Sequence, residues 1–153
     1  MLIKTQMIRF ALFVMFIVSV NAYAGVCNNR SLLNGYTYEL SGVDTVGSVV
    51  SSYHAVGNIY FNGAGSVSFS GYETTGGSAV TDTGSGTYIV TPGCFATGTI
   101  TWNSGVITHY ALYLDQMDSM LATRLAYHGA LTTWSSNGLS LSGSINKVSG
   151  KFQ

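Results

Sequence analysis

The chain has 153 residues, only 8% of them charged, with six Lys and Arg balancing six Asp and Glu. Taking residues 1–24 as a leader removes Lys4 and Arg9 and leaves 129 residues with four basic and six acidic side chains. That length suits one domain, and the slight negative balance offers no basic stripe for phosphate backbones, which argues against nucleic acid as a partner.

The leader reads from its order of parts. Lys4 and Arg9 form a basic start, Phe10 to Val20 an uncharged apolar run, and Ala22-Tyr23-Ala24 a small-x-small triplet. This is the pattern of a secretory signal peptide cleaved after Ala24. The apolar run has 11 residues, whereas a spanning helix needs about 20, so no membrane span is expected to remain. A lipid-modified Cys27 is disfavoured by the bulky Val26 before it. The expected destination is the periplasm or the medium.

All 19 glycines and nine of the ten tyrosines follow the leader, among many Ser and Thr. That composition fits an exported β-protein better than a cytosolic enzyme. Cys27 and Cys94 are the only cysteines. In an exported chain two thiols pair, and closing that loop is worth roughly 4 kcal/mol on the chain-entropy account. A redox role would need Cys-x-x-Cys spacing, which is absent.

In chain order, strand one is predicted at 35–42, with Tyr36, Tyr38 and Leu40 on one face. Strand two spans 49–61 and bends near Gly57. Strand three, 65–74, places Val67, Phe69 and Gly71 opposite Ser66, Ser68 and Ser70 across the Asn62-Gly63 turn, a strong hairpin signal. Residues 73–86 read as a loop that holds at most the start of a strand near Ala79-Val80. Strand four is 86–91, stopped by Pro92-Gly93. Strand five, 94–102, alternates Gly98, Ile100 and Trp102 against three threonines.

Strand six is predicted at 106–114, followed by a polar hairpin loop at 115–118. Strand seven, 119–127, sets Arg124 on a small-residue face opposite Leu121, Leu125 and Tyr127. A longer connection, 128–138, carries Trp134. Strand eight, about 139–146, turns Leu139, Leu141, Gly143 and Ile145 inward. The fold class is therefore all-β: a small antiparallel up-and-down barrel of about eight strands, preceded by the leader helix. Closure removes exposed strand edges, and the short connections favour a barrel over its rival, a two-sheet sandwich.

Gly57-x-Ile59-x-Phe61-Asn62-Gly63-x-Gly65-x-Val67, Gly86-Thr87-Tyr88-x-Val90 and Cys94 with Gly98-x-Ile100 occur in that order. This pattern resembles small secreted bacterial proteins whose predicted form is a lipocalin-like or allene-oxide-cyclase-like barrel. The likeness covers most of residues 27–146. Its motifs are turn glycines and core positions, so it implies a fold and carries no catalytic residue. The chain departs from the pattern at Asn62-Gly63, where relatives have Asp-Gly, and at Gly93, where they have Asp before the cysteine.

Candidate chemistry is sparse. His54, His109 and His128 sit in or beside separate strands without ligand spacing, so no metal is predicted. Of the six carboxylates, Asp44, Asp82, Asp115 and Asp118 read as turn or loop residues, Glu39 as outward and Glu73 as a strand end. No nucleophile elbow or phosphate loop occurs, and no cofactor or catalytic residue is predicted. Arg124 either points inward toward an acidic headgroup or, as favoured here, lies outward along the wall. The leading expectation is a binding module holding a small apolar or amphipathic ligand, lined by Tyr36, Tyr38, Phe61, Phe69, Tyr88, Trp102 and conditionally Arg124. The alternative is a structural or interaction protein of the cell envelope with a filled barrel. An outer-membrane barrel is disfavoured because the outward faces are rich in Ser, Thr and Asn.

Overall fold

Period-two alternation continues well past the short runs visible in the sequence, because a strand that crosses a barrel obliquely must be long. A computed structural model describes residues 26–118 and 125–148. Its strands are β1 (Leu33–Val46), β2 (Val49–Asn62), β3 (Ser66–Thr75), β4 (Ser78–Val90), β5 (Phe95–Trp102), β6 (Ile107–Met117), β7 (Ala126–Trp134) and β8 (Ser140–Lys147). Each pairs antiparallel with its neighbours in sequence, and β8 pairs with β1 from Tyr36↔Lys147 to Val43↔Ser140. The sheet is a closed up-and-down barrel, not a sandwich. The leader and Arg124 lie outside the described residues.

Two sequence expectations need correction. Residues 73–86 are not a loop. β3 runs on to Thr75, Gly76 and Gly77 take positive φ values of 57° and 90°, and β4 starts at once with Thr75 opposite Ser78. Two consecutive positive φ angles define the two-residue turn that matches strand twist, and Gly-Gly adopts it freely. The strand escaped notice because its inward positions there are Asp82, Gly84 and Gly86 instead of a row of apolar side chains.

The second correction concerns strand seven: the described strand is Ala126–Trp134, and of the expected 119–127 residues 119–124 lie outside the described residues. Gly129, Leu131 and Thr133 face inward, and Ala130, Thr132 and Trp134 face out. The supposed connection is thus mostly strand, and β6 extends through Asp115 to Met117, past register shifts after Leu114. Tyr127, expected inside, is 47% exposed. Of the four buried residues on β7, Ala126, Gly129, Leu131 and Thr133, only Leu131 is a large apolar side chain, so its alternation was weak in the sequence.

The connections sort to two ends. The β2–β3 and β4–β5 connections, the end of β6, the start of β7 and the segment before β1 lie at the lower end. The four hairpins β1–β2, β3–β4, β5–β6 and β7–β8 surround the mouth. At the lower end the chain forms a single 3-10 turn, Asn29–Ser31. Asn28 caps it by accepting from the Arg30 N–H at 2.9 Å and donating its own N–H to Ser31 Oγ at 3.2 Å. The Asn29 side chain then reaches across to accept the Val90 N–H at 2.8 Å. Cys27 is bonded to Cys94, tying this segment to the β4–β5 loop.

Inside, buried Tyr36, Phe61 and Tyr88 stack edge to face, with centroids 5.6 and 5.0 Å apart, and fill the lower half. Leu32, Ile59, Leu112, Leu131 and Ile145 complete the packing. Edge-to-face ring pairs add about 0.5–1.5 kcal/mol beyond their area burial. Large inward rings need room, and glycines on the facing strand supply it: a Cβ on Gly84 would stand 2.7 Å from Ile100 Cγ2 and 3.0 Å from Trp102 Cε3.

Candidate functional site

The upper half of the barrel is not filled. A cavity of about 260 Å³ opens at the mouth. Its lower wall is aromatic: Phe69 contacts Tyr38, Trp102 and Tyr110, with ring centroids 5.6, 5.9 and 6.0 Å apart. Leu40, Ile100 and Leu141 widen the apolar surface. The Trp102 indole N–H donates to Thr108 Oγ1 at 2.9 Å, which fixes the ring against the wall.

The six aromatic residues expected to line a pocket divide evenly. Tyr38, Phe69 and Trp102 line the cavity. Tyr36, Phe61 and Tyr88 do not, because two residues along a strand move a side chain by about 6.5 Å, here into the packed half. Their hydroxyls are bound within the fold. Tyr36 donates to the Ala126 carbonyl at 2.9 Å, and Tyr88 donates to the carbonyls of Asn29 and Leu32, each at 3.0 Å. Arg124 falls outside the described residues.

Above the aromatic wall the lining changes character. Asp44, Tyr53, Glu73 and Asp82 line the cavity on β1, β2, β3 and β4. The register explains their proximity. Gly42 pairs with Tyr53, Tyr53 with Thr75, and Gly71 with Asp82, so each member is diagonal to the next on the inward face. Diagonal positions lie about 7–8 Å apart, within reach of long side chains. The result is an acidic arc over half the rim, whereas β5–β8 contribute Ser104, Thr108, Thr133, Ser135 and Asn137. Asp44 and Asp82 are therefore strand residues, not turn residues.

The arc is partly tied down. The Tyr53 hydroxyl donates to the Glu73 carboxylate. Asp82 accepts the Thr83 N–H at 2.7 Å and the Ser104 hydroxyl at 3.4 Å. Burial pushes the Glu73 carboxyl above its usual range; the Tyr53 hydrogen bond opposes that rise and the charge of Asp82 adds to it. The same burial, with Glu73 and Asp82 nearby, holds the Tyr38 phenol well above its ordinary value, so it is a neutral hydroxyl.

Two of the cavity's polar atoms have no partner among the described residues. Tyr38 Oη and Thr133 Oγ1 are buried without a hydrogen bond, on residues only 4% and 5% exposed. Both line the cavity. Leaving such a group unsatisfied costs about 1–3 kcal/mol. Space is reserved for the Tyr38 hydroxyl, since a Cβ on Gly71 would collide with it.

Sequence reasoning missed Tyr53, Asp44, Glu73, Asp82 and Thr133, although a signal existed. Asp44 shares the parity of Tyr36, Tyr38 and Leu40, and Glu73 that of Val67, Phe69 and Gly71. The histidines stay apart. His109 stacks on Trp134, and His128 Nδ1 meets Asp115 Oδ1 at 2.6 Å, the only ion pair among the described residues. Compared with known proteins, the chain matches no family model, no curated relative and no solved structure.

Proposed function

We propose that this protein is an exported binding module whose barrel, closed at one end, holds a single small amphipathic molecule in the mouth cavity. The observation that carries this reading is the pair of buried, unpartnered hydroxyls of Tyr38 and Thr133 beside an open apolar cavity. A barrel filled for purely structural ends would have no reason to retain such groups, which apolar side chains replace without loss. The leader pattern and the Cys27–Cys94 bond support an oxidising destination outside the cytoplasm. Concave apolar sites with a few convergent polar groups are the usual form of small-molecule sites. The cavity's volume of about 260 Å³ lies just under the usual range of about 300–1,000 Å³ for ligand pockets, so the ligand is small.

Native mass spectrometry of oxidised protein purified from its own host, paired with fluorescence titration by the neutral probe 4-phenylbutanol, tests the reading. A small noncovalent adduct, or saturable one-to-one binding that perturbs Trp102 emission, is the expected result. A bare mass together with no saturable binding would return the protein to the alternative of a structural envelope component.

A further inference from the structure

The carboxylates at the mouth narrow the ligand's chemistry. Asp44, Glu73 and Asp82 share one side of the rim, and no ion pair among the described residues involves any of them. The basic residues that are described lie away from it: Arg30 is in the lower 3-10 turn, and Lys147 ends β8 at the lower end, over the Tyr127 ring at 5.2 Å. Gathering like charges on partly buried positions costs free energy that a bound opposite charge offsets.

The charge is not arranged for a metal ion. Among the described residues no three His, Cys, Asp or Glu side chains group as metal ligands. An elongated cation fits better, because the arc runs along the rim and continues downward into aromatic faces. Phe69, Trp102 and Tyr38 offer π surface that attracts a cationic head. The unpartnered hydroxyls of Tyr38 and Thr133 can each accept an N–H hydrogen bond.

Resting on the binding-module reading, we propose that the ligand is a small protonated amine with an apolar body, its ammonium group held by Glu73 and Asp82 with Asp44 adding to the field, and its body on Phe69 and Trp102. The groups facing Glu73 from the packed strands are Asp44 and Tyr38 on β1, Tyr53 on β2 and Asp82 on β4. None is cationic, so the incoming ammonium is the local counter-charge. Burial raises the Glu73 titration while a bound ammonium favours the ionised carboxylate, so affinity for amines falls as pH drops through the Glu73 titration.

Calorimetric titration of the oxidised protein with three probes of one shape tests this: 4-phenylbutylamine, 4-phenylbutanol and 4-phenylbutyrate. The amine is expected to bind at least about tenfold tighter than the alcohol, the value of one charge-assisted hydrogen bond. The carboxylate should bind weakest, and added salt should shrink the amine's advantage. Combining Glu73→Gln with Asp82→Asn should bring the amine-to-alcohol ratio close to one, and Asp44→Asn alone should lower it. Glu39→Gln, outward on β1, should leave the ratio as it is. Equal binding of amine and alcohol would overturn the cation assignment while the binding module stands. Binding of none of the three would overturn both, and a ratio that survives the double variant would overturn the role of the arc.

Discussion

The two ends of this barrel are built on the same strands with the same inward alternation, yet they treat polar groups in opposite ways. At the lower end each tyrosine hydroxyl on the inward face meets a backbone carbonyl: Tyr36 that of Ala126, Tyr88 those of Asn29 and Leu32. At the mouth the equally buried Tyr38 hydroxyl meets no partner among the described residues, and three carboxylates gather with no counter-ion among them. A fold able to satisfy its polar atoms at one end has left two of them unsatisfied at the other. The difference separates the part of the chain that holds the barrel shut from the part assigned to the proposed ligand.

Breaking the lower end should therefore cost stability, whereas altering the mouth should cost binding. The largest effect is expected from replacing Cys27 and Cys94 together by alanine. The bond spans 67 residues of sequence and joins the plug segment to the β4–β5 loop, so its loss should lower unfolding free energy by roughly 2–4 kcal/mol. Urea denaturation read by circular dichroism measures this. Hydrogen exchange should quicken around Leu32 and Val90 and remain unchanged at β3–β4 above Phe69. Uniform acceleration over both ends would dissolve the proposed division.

A sharper test compares two tyrosines in one barrel. Tyr88→Phe takes its donor from the Leu32 carbonyl and leaves the Asn29 carbonyl only the Leu32 N–H, and should destabilise by roughly 1–3 kcal/mol. Tyr38→Phe removes a hydroxyl that has no partner, so stability should hold or rise by up to about 1 kcal/mol. Binding should show the reverse order, with Tyr38→Phe weakening the phenylbutylamine complex and Tyr88→Phe leaving it unaltered. Denaturation midpoints and calorimetry on the same samples settle both signs. Equal destabilisation by the two changes would mean that Tyr38 has a partner in solution.

The same division explains which segments were legible in the sequence. Where inward residues must fill space, alternation was plain: Ile59 and Phe61 on β2, Val67 and Phe69 on β3, Ile100 on β5, Leu141 and Ile145 on β8. The barrel and its approximate strand count follow from these, whereas the cysteine pair follows from two lone thiols in a chain read as exported. The two segments misread were 73–86 and 128–138, and both contribute to the cavity wall, through Glu73 and Asp82 in one and Thr133, Ser135 and Asn137 in the other. Residues that line an opening need not be apolar, so the periodic signal fades there. Strand prediction failed where the candidate site lies, for one physical reason, and local inconsistency of this kind is expected at functional positions.

The smallest expected effect concerns Glu73 and follows from the cost of its burial. Its carboxyl titrates above the ordinary value of 4.5, so the folded protein holds this proton more tightly than the unfolded chain does. Between that value and Glu73's own higher titration point, the folded state keeps a proton that the unfolded state has lost. The group's favourable contribution is thus complete below about pH 4.5 and declines as pH rises through the Glu73 titration. Glu73→Gln cannot titrate, so stability of the wild type minus that of the variant should fall with rising pH over this window and then level off. Urea midpoints of both proteins from pH 4 to pH 8 supply the difference, with the other carboxylates cancelling. A difference that climbs with pH would mean that the Tyr53 hydrogen bond outweighs desolvation at the mouth. Saturating 4-phenylbutylamine should reverse the slope, because a bound ammonium favours the carboxylate that burial alone disfavours.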